Sequence, residues 1–261
     1  LKAIRKTLSK GLENLFDWLC ANRLSLNSDL ILFKPHHKRD DFRLTINFGG
    51  TKIFLSNKVK YLGVLIDASL TWKPHIAELS KKLSRVAAIL SKVRHYVPLN
   101  TLKSLYLSLF QSHLSYGCLV WGFANRSVLQ RIYRIQKRAL RIITFSNIDE
   151  PTSKLFEEMK ILKLDDLIEM NRSIFMFDWK NDDLPSHLKS LFSLRSYSGT
   201  KRNAGSRKLN VPVTRTVTYG DRSLKAVGPN ILNKLVDLGI DLGVSKTQFK
   251  RNLLALLLAK Y

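Results

Sequence analysis

Three adjacent aspartate pairs, Asp40-Asp41, Asp165-Asp166 and Asp182-Asp183, are the side chains best suited by type to hold divalent cations for phosphoryl-transfer chemistry. Their placement argues against that use. The first and third fall in predicted loops, and the second opens a predicted helix, where acids complement the helix dipole. Asp67 closes a predicted strand but stands alone, and it reads more simply as a turn residue or an acceptor at a helix entry. His36-His37 lie in a charged loop, and His75, His95, His113 and His187 lack metal-ligand spacing. Cys20 and Cys118 are too far apart for a C-x-x-C site and too few for a disulfide framework. No glycine-rich phosphate loop, Ser-His-Asp set or Cys-His pair is present. These residues do not describe an autonomous enzyme.

The cations carry the stronger signal. The 44 Lys and Arg against 20 Asp and Glu give a net charge of +24, the footprint of a nucleic-acid binder, with an anionic membrane surface or an acidic protein as the other partner classes. The excess is concentrated between Trp72 and Arg141, where 13 Lys or Arg face a single acid, Glu78. Arg131, Arg134, Lys137, Arg138 and Arg141 recur at three or four residues opposite Ile132, Ile135, Ala139 and Leu140. One side of that helix is therefore a cationic stripe able to follow a phosphate backbone. Lys81, Lys82, Arg85 and Lys92 form a second, less regular stripe. The aromatics Tyr61, Trp72, Tyr106, Tyr116 and Trp121 read as core before base-stacking platforms, although Tyr61 and Trp72 border the expected groove.

The elements that must position these groups follow from periodicity. Apolar residues from Ile4 to Leu19 recur at helical spacing, with Asn22 as the stop. Short strands are predicted at 24–26 and 30–33. Phe42–Phe48 and Thr51–Leu55 flank Gly49-Gly50 as a hairpin, and Val59–Ile66 reads as one buried strand. After Trp72 the pattern is helical: Pro74 suits a first turn, Pro98 ends the first helix, further helices center on 102–110 and 129–143, and Pro151 opens a helical pair over 155–177. The segment Tyr116–Gly122 predicts a tight helix crossing. Residues 193–222, rich in Gly, Ser and Arg, read as loop with one or two short strands. Ser245 caps a final helix. The expected fold is α+β and mainly α, with a unit at 1–70 bearing a small antiparallel sheet, a basic helical unit at 71–145 and a helical region at 146–261.

Several phrases resemble, in order, the reverse transcriptases of non-long-terminal-repeat (LINE-like, jockey-like) retrotransposons. Leu15–Asn27 is similar to the helix-strand segment that follows the catalytic Y/F-A-D-D box. Tyr61-Leu62-Gly63 resembles the primer grip. Leu114-Ser115-Tyr116-Gly117, Val120-Trp121-Gly122 and Gln136-Lys137-Arg138-Ala139-Leu140-Arg141 resemble the thumb region, and Ser245 with Phe249-Lys250 resembles the terminal S-x-x-x-F-K helix. The resemblance implies the end of the palm, the thumb and the C-terminal region of an RNA-directed DNA polymerase. Its partners would be an RNA template, a DNA primer and their hybrid. Magnesium and deoxynucleotides would serve the full-length enzyme, with no cofactor or metal held by this chain.

On this reading the catalytic aspartates precede Leu1, and Lys60, Tyr61, Gly63, Lys81, Lys82, Arg85, Arg131, Arg134, Lys137, Arg138 and Arg141 contact nucleic acid. A non-enzymatic nucleic-acid-binding protein derived from such an element is the alternative. Two departures mark the copy. Leu26-Asn27-Ser28-Asp29-Leu30 lacks the lysine and threonine of the usual L-N-x-x-K-T, and Leu232-Asn233-Lys234-Leu235-Val236 replaces W-N-x-L-P. No signal peptide or membrane span is visible, so nucleus or cytoplasm is expected and secretion is not.

Overall fold

The computed structural model describes residues 2–25, 30–34, 45–48, 51–195 and 208–261. Asp40-Asp41, His36-His37, Leu26–Asp29 and Gly49-Gly50 lie outside the described residues. The fold is α+β and mainly α, and the chain divides into units Leu1–Ala77 and Glu78–Tyr261.

The first unit opens with helix α1, Lys2–Ala21, followed by a turn at Asn22, whose Nδ2 donates to Trp18 O at 2.8 Å. The strand expected at 30–33 is reduced to one bridge between Leu30 and Leu55, and residues 24 and 25 form no strand. The predicted hairpin is present: β1 (Thr45–Phe48) pairs antiparallel with β2 (Thr51–Phe54), Phe48 opposite Thr51. The single buried strand expected over Val59–Ile66 is instead a second hairpin, β3 (Lys58–Tyr61) with β4 (Val64–Asp67), Tyr61 opposite Val64. Leu62 and Gly63 form its turn with φ of 45° and 81°, the paired positive φ values of a two-residue hairpin loop that matches strand twist. An uninterrupted apolar run concealed the turn, because Leu62 occupies a position that ordinarily takes Asn, Asp or Gly. The two hairpins form separate two-stranded sheets.

Asp67 links β4 to the next helix, α2 (Lys73–Val93). Its carboxylate accepts from Thr71 N and Thr71 Oγ1, each at 2.9 Å, and from Trp72 N at 2.7 Å. These bonds hold a turn in which Leu70 and Trp72 both take positive φ. His75 Nδ1 accepts from Leu65 N at 3.2 Å, tying the same helix start to β4.

The second unit is helical. Leu79, Leu83, Val86, Ala87 and Leu90 of α2 are buried. A continuous helical stretch follows: α3 (Leu99–Leu105), a π-helical turn at Tyr106–Gln111 and α4 (Ser112–Ser115). Tyr106 and Phe110 on the π turn stack at 5.0 Å and are fully buried. The expected tight crossing is built by Gly117 in the left-handed region, the single turn α5 (Cys118–Trp121) and Gly122. A Cβ on Gly122 would stand 2.3 Å from Cys118 O and 3.0 Å from Ile168, so no side chain fits there.

Helix α6 (Arg126–Thr144) buries Leu129, Ile132, Gln136, Ala139, Leu140 and Ile143 at helical spacing. It packs on α3, on α7 (Thr152–Glu158) and on α8 (Leu164–Lys180). After the short α9 (Ser186–Lys189) and a second π turn at Val217–Asp221, α10 (Leu224–Asp237) and α11 (Lys246–Leu258) pack on α8. Helix α10 was not predicted, since Gly228 and Pro229 lie within it and both disfavour helix interiors. Gly228 is required by Met176 and Phe192, which would lie 2.7 and 2.9 Å from an added Cβ.

Candidate nucleic-acid interface

Helices α2 and α6 bring the two basic stripes together. Ser80, Lys81, Ser84 and Arg85 from α2 and Arg131, Arg134 and Ile135 from α6 line one groove of about 550 Å³. The spacing explains the alignment: 81, 84 and 85 share one face of α2, and 131, 134 and 135 share one face of α6, so that Ile135, expected on the apolar side, is half-buried at the edge of the groove instead. The opposite face of each helix is occupied by the buried leucines and isoleucines, so burial of the core turns these cations outward. Lys81, Arg85, Arg131 and Arg134 have no acidic partner among the described residues. Four like charges around one groove repel one another, and the repulsion is relieved by an anion placed between them.

The remaining stripe residues divide by role. Arg138 is exposed on the same face as Arg131 and Arg134. Lys82 pairs with Glu78 at 3.5 Å along α2. Lys137 lies over the Tyr133 ring at 4.9 Å. Arg141 donates through Nη2 to Glu150 O at 3.0 Å, and its Nε is buried, so this side chain braces the end of α6. Lys60, Tyr61 and Gly63 sit at the tip of the β3–β4 hairpin, in the first unit, where Tyr61 is 64% and Leu62 73% exposed.

Aromatic residues expected in the core separate in the same way. Trp72, Tyr106 and Trp121 are buried, while Tyr61 and Tyr116 are exposed. The hairpin turn explains Tyr61, and the extended C-cap conformation of Tyr116 explains the other.

Gln136, at the head of the Gln-Lys-Arg-Ala-Leu-Arg phrase, is fully buried. Its Nε2 donates to Tyr106 Oη at 3.2 Å and to Leu162 O at 2.9 Å, which joins three segments of the bundle. Burial pushes the Tyr106 hydroxyl far above its ordinary range, with the Gln136 bond only partly opposing it. Sequence reasoning also missed Arg94, whose guanidinium lies 4.7 Å over the Phe145 ring at the left-handed C-cap of α6. An aromatic at a cap position that favours glycine was the available signal. The adjacent aspartates Asp165-Asp166 open α8 as expected, and Asp182 pairs with Lys189 at 3.0 Å. Among the described residues, no group of three His, Cys, Asp or Glu side chains is placed to hold a metal ion, and no helix is long and apolar enough to cross a membrane.

Comparison with known proteins agrees with the motif resemblance. The chain is 29% identical over 164 residues to a probable RNA-directed DNA polymerase from transposon X-element of Drosophila melanogaster, covering 61% of this chain and 17% of that protein. The chain is thus similar to RNA-directed DNA polymerases of non-long-terminal-repeat retrotransposons. The RNA-directed DNA polymerases from mobile element jockey are similar as well: 27% identical over 128 residues in Drosophila melanogaster, and 30% over 133 residues in Drosophila funebris. Those two matches cover 48% and 50% of this chain and 14% of each polymerase. The chain thus matches less than a fifth of the length of these retrotransposon polymerases. No family model matches it, and no solved structure matches it.

Proposed function

We propose that this chain grips primer-template nucleic acid for a retrotransposon RNA-directed DNA polymerase, as the end of its palm, its thumb and its C-terminal region. The groove between α2 and α6 carries the reading: Lys81, Arg85, Arg131 and Arg134 converge there without acids. In this role the four cations and Arg138 hold backbone phosphates, and Tyr61 at the hairpin tip acts in the primer grip. Lys82, Lys137 and Arg141 support the stripe and make smaller contributions to binding. Chain extension itself, with magnesium and deoxynucleotides, requires catalytic aspartates supplied outside this chain.

The test is the salt dependence of binding to an RNA–DNA hybrid with a recessed 3′ end. Each phosphate contact contributes about 0.9 to the slope of log affinity against log salt for duplex DNA. Changing Arg85, Arg131 and Arg134 together to Ala should lower that slope by roughly 2 to 3 units. Undetectable or salt-independent binding by the unmodified chain rejects the proposal. Equal affinity for plain duplex and for the recessed hybrid points to a general nucleic-acid binder instead. Primer extension by this chain alone would refute the assignment of catalysis to residues elsewhere.

A further inference from the structure

A second basic site lies at the other end of α6. An open pocket of about 390 Å³ is lined by Phe123, Arg126, Asp165, Arg172 and Arg222, with Gly122 at its edge. Its three arginines come from three separate places: the first residue of α6, the middle of α8 and the residue following the second π turn. One carboxylate, Asp165, stands against three guanidinium groups.

Arg172 is the most constrained of them. Its Nη2 donates to Gly122 O at 3.0 Å, its guanidinium lies 4.1 Å from the centroid of the Phe123 ring, and its Nε is buried with no hydrogen-bond partner. The nearby Glu169 carboxylate is already engaged by Lys234 at 3.0 Å and Lys260 at 3.2 Å. No acidic partner is described for Arg126 or Arg222. Arg126 also occupies the first turn of a long helix, where the dipole favours an anion and disfavours a cation. Three guanidiniums lining one pocket, with a single carboxylate beside them, suit the oxygens of a phosphate, which arginine binds through paired N–H donors. The pocket volume lies within the range of small-ligand sites, roughly 300–1,000 Å³, so it admits a phosphate with its attached sugar.

We infer that this pocket binds a phosphate monoester, either the 5′-phosphate of a nucleic-acid strand or that of a free mononucleotide. It is separate from the groove of Lys81, Arg85, Arg131 and Arg134, and the two sites can be tested apart. Fluorescence anisotropy would compare a 5′-phosphorylated single-stranded oligonucleotide with its 5′-hydroxyl twin on the full chain. In parallel, adenosine monophosphate and inorganic phosphate would be scored for thermal stabilisation.

Preference for the phosphorylated strand by about tenfold or more, abolished in the Arg126→Ala/Arg222→Ala variant, assigns the site to strand ends. No end preference, with stabilisation by adenosine monophosphate that the variant loses, assigns it to the free nucleotide. Equal affinity for the twins and no stabilisation by either small ligand overturns the inference. The salt-dependent binding through the α2–α6 groove should survive in the variant, so loss of one property does not imply loss of the other. If the double alanine variant fails to fold, Arg126→Lys/Arg222→Lys keeps both charges but removes the paired donors. It should lose the phosphate preference, and retention would overturn the inference.

Discussion

At the scale of single residues, the recognisable words of this sequence are largely packing words. Gln136 bridges Tyr106 and Leu162 inside the bundle. Asn233 clamps the Leu209 backbone, accepting from its N–H at 2.7 Å and donating to its carbonyl at 3.1 Å. Ser245 accepts from Gln248 N, and Phe249 stacks on Phe177 at 4.4 Å. Replacing Gln136 by Leu leaves the Tyr106 hydroxyl and the Leu162 carbonyl buried without this donor, at about 1–3 kcal/mol for each unpaired polar group. Urea denaturation of Gln136→Leu should show a loss of roughly 2 kcal/mol, whereas a neutral result would mean that the bridge carries no stability. Cys118 is structural as well: burial pushes its thiol up to about 11, with Arg172 partly opposing the shift. Cys20 is exposed and is the thiol open to labelling.

At the scale of elements, the β3–β4 hairpin and the α2–α6 pair each convert a sequence pattern into a surface. Leu62 in the left-handed region carries backbone strain of order 1 kcal/mol, and the turn it completes sets Tyr61 outward. Tyr61→Ala removes no buried contact area of consequence. It should leave the thermal midpoint within about 1 °C and weaken hybrid binding roughly fivefold to tenfold, as loss of one base-stacking ring would. Unchanged affinity would remove Tyr61 from the interface. The α2–α6 groove arises because each helix buries its leucine face, which leaves Lys81 and Arg85 on the same side as Arg131 and Arg134.

At the scale of the whole molecule, several acids hold the helices of the second unit together. Glu169 is bound by Lys234 and Lys260, Asp178 by Lys246 at 2.7 Å, and Tyr261 Oη donates to Asp166 at 2.8 Å. Burial works against the charge of Glu169, but the two lysines outweigh it and hold its carboxyl below the ordinary value of 4.5. A depressed folded value means that the contribution is complete above pH 4.5 and is lost as pH falls through that folded value. Glu169→Gln should therefore cost up to about 1 kcal/mol at pH 7, a figure limited by solvent screening of the partly exposed pair. The difference should vanish in acid, as measured by urea titrations from pH 7 to pH 3. A constant difference across that range would show that the loss is one of packing.

The sequence by itself determined the helical character after Trp72, the β1–β2 hairpin, the role of Asp67 at a helix entry, the cap at Ser245 and the family resemblance. Those properties depend on local spacing: apolar period, turn chemistry and the reach of one side chain to nearby backbone groups. It did not show that Val59–Ile66 doubles back, because Leu62 hides the turn, or that α10 exists, because its Gly228 answers to Met176 and Phe192 from other segments. Only tertiary structure decided which cations share a groove. Arg131 and Arg141 read alike along one helix, yet Arg141 donates through Nη2 to the Glu150 carbonyl while Arg131 shares a groove with Lys81 and Arg85. The same holds for Arg126, Arg172 and Arg222, whose convergence depends on where three distant segments are brought by the packing of α6, α8 and α10.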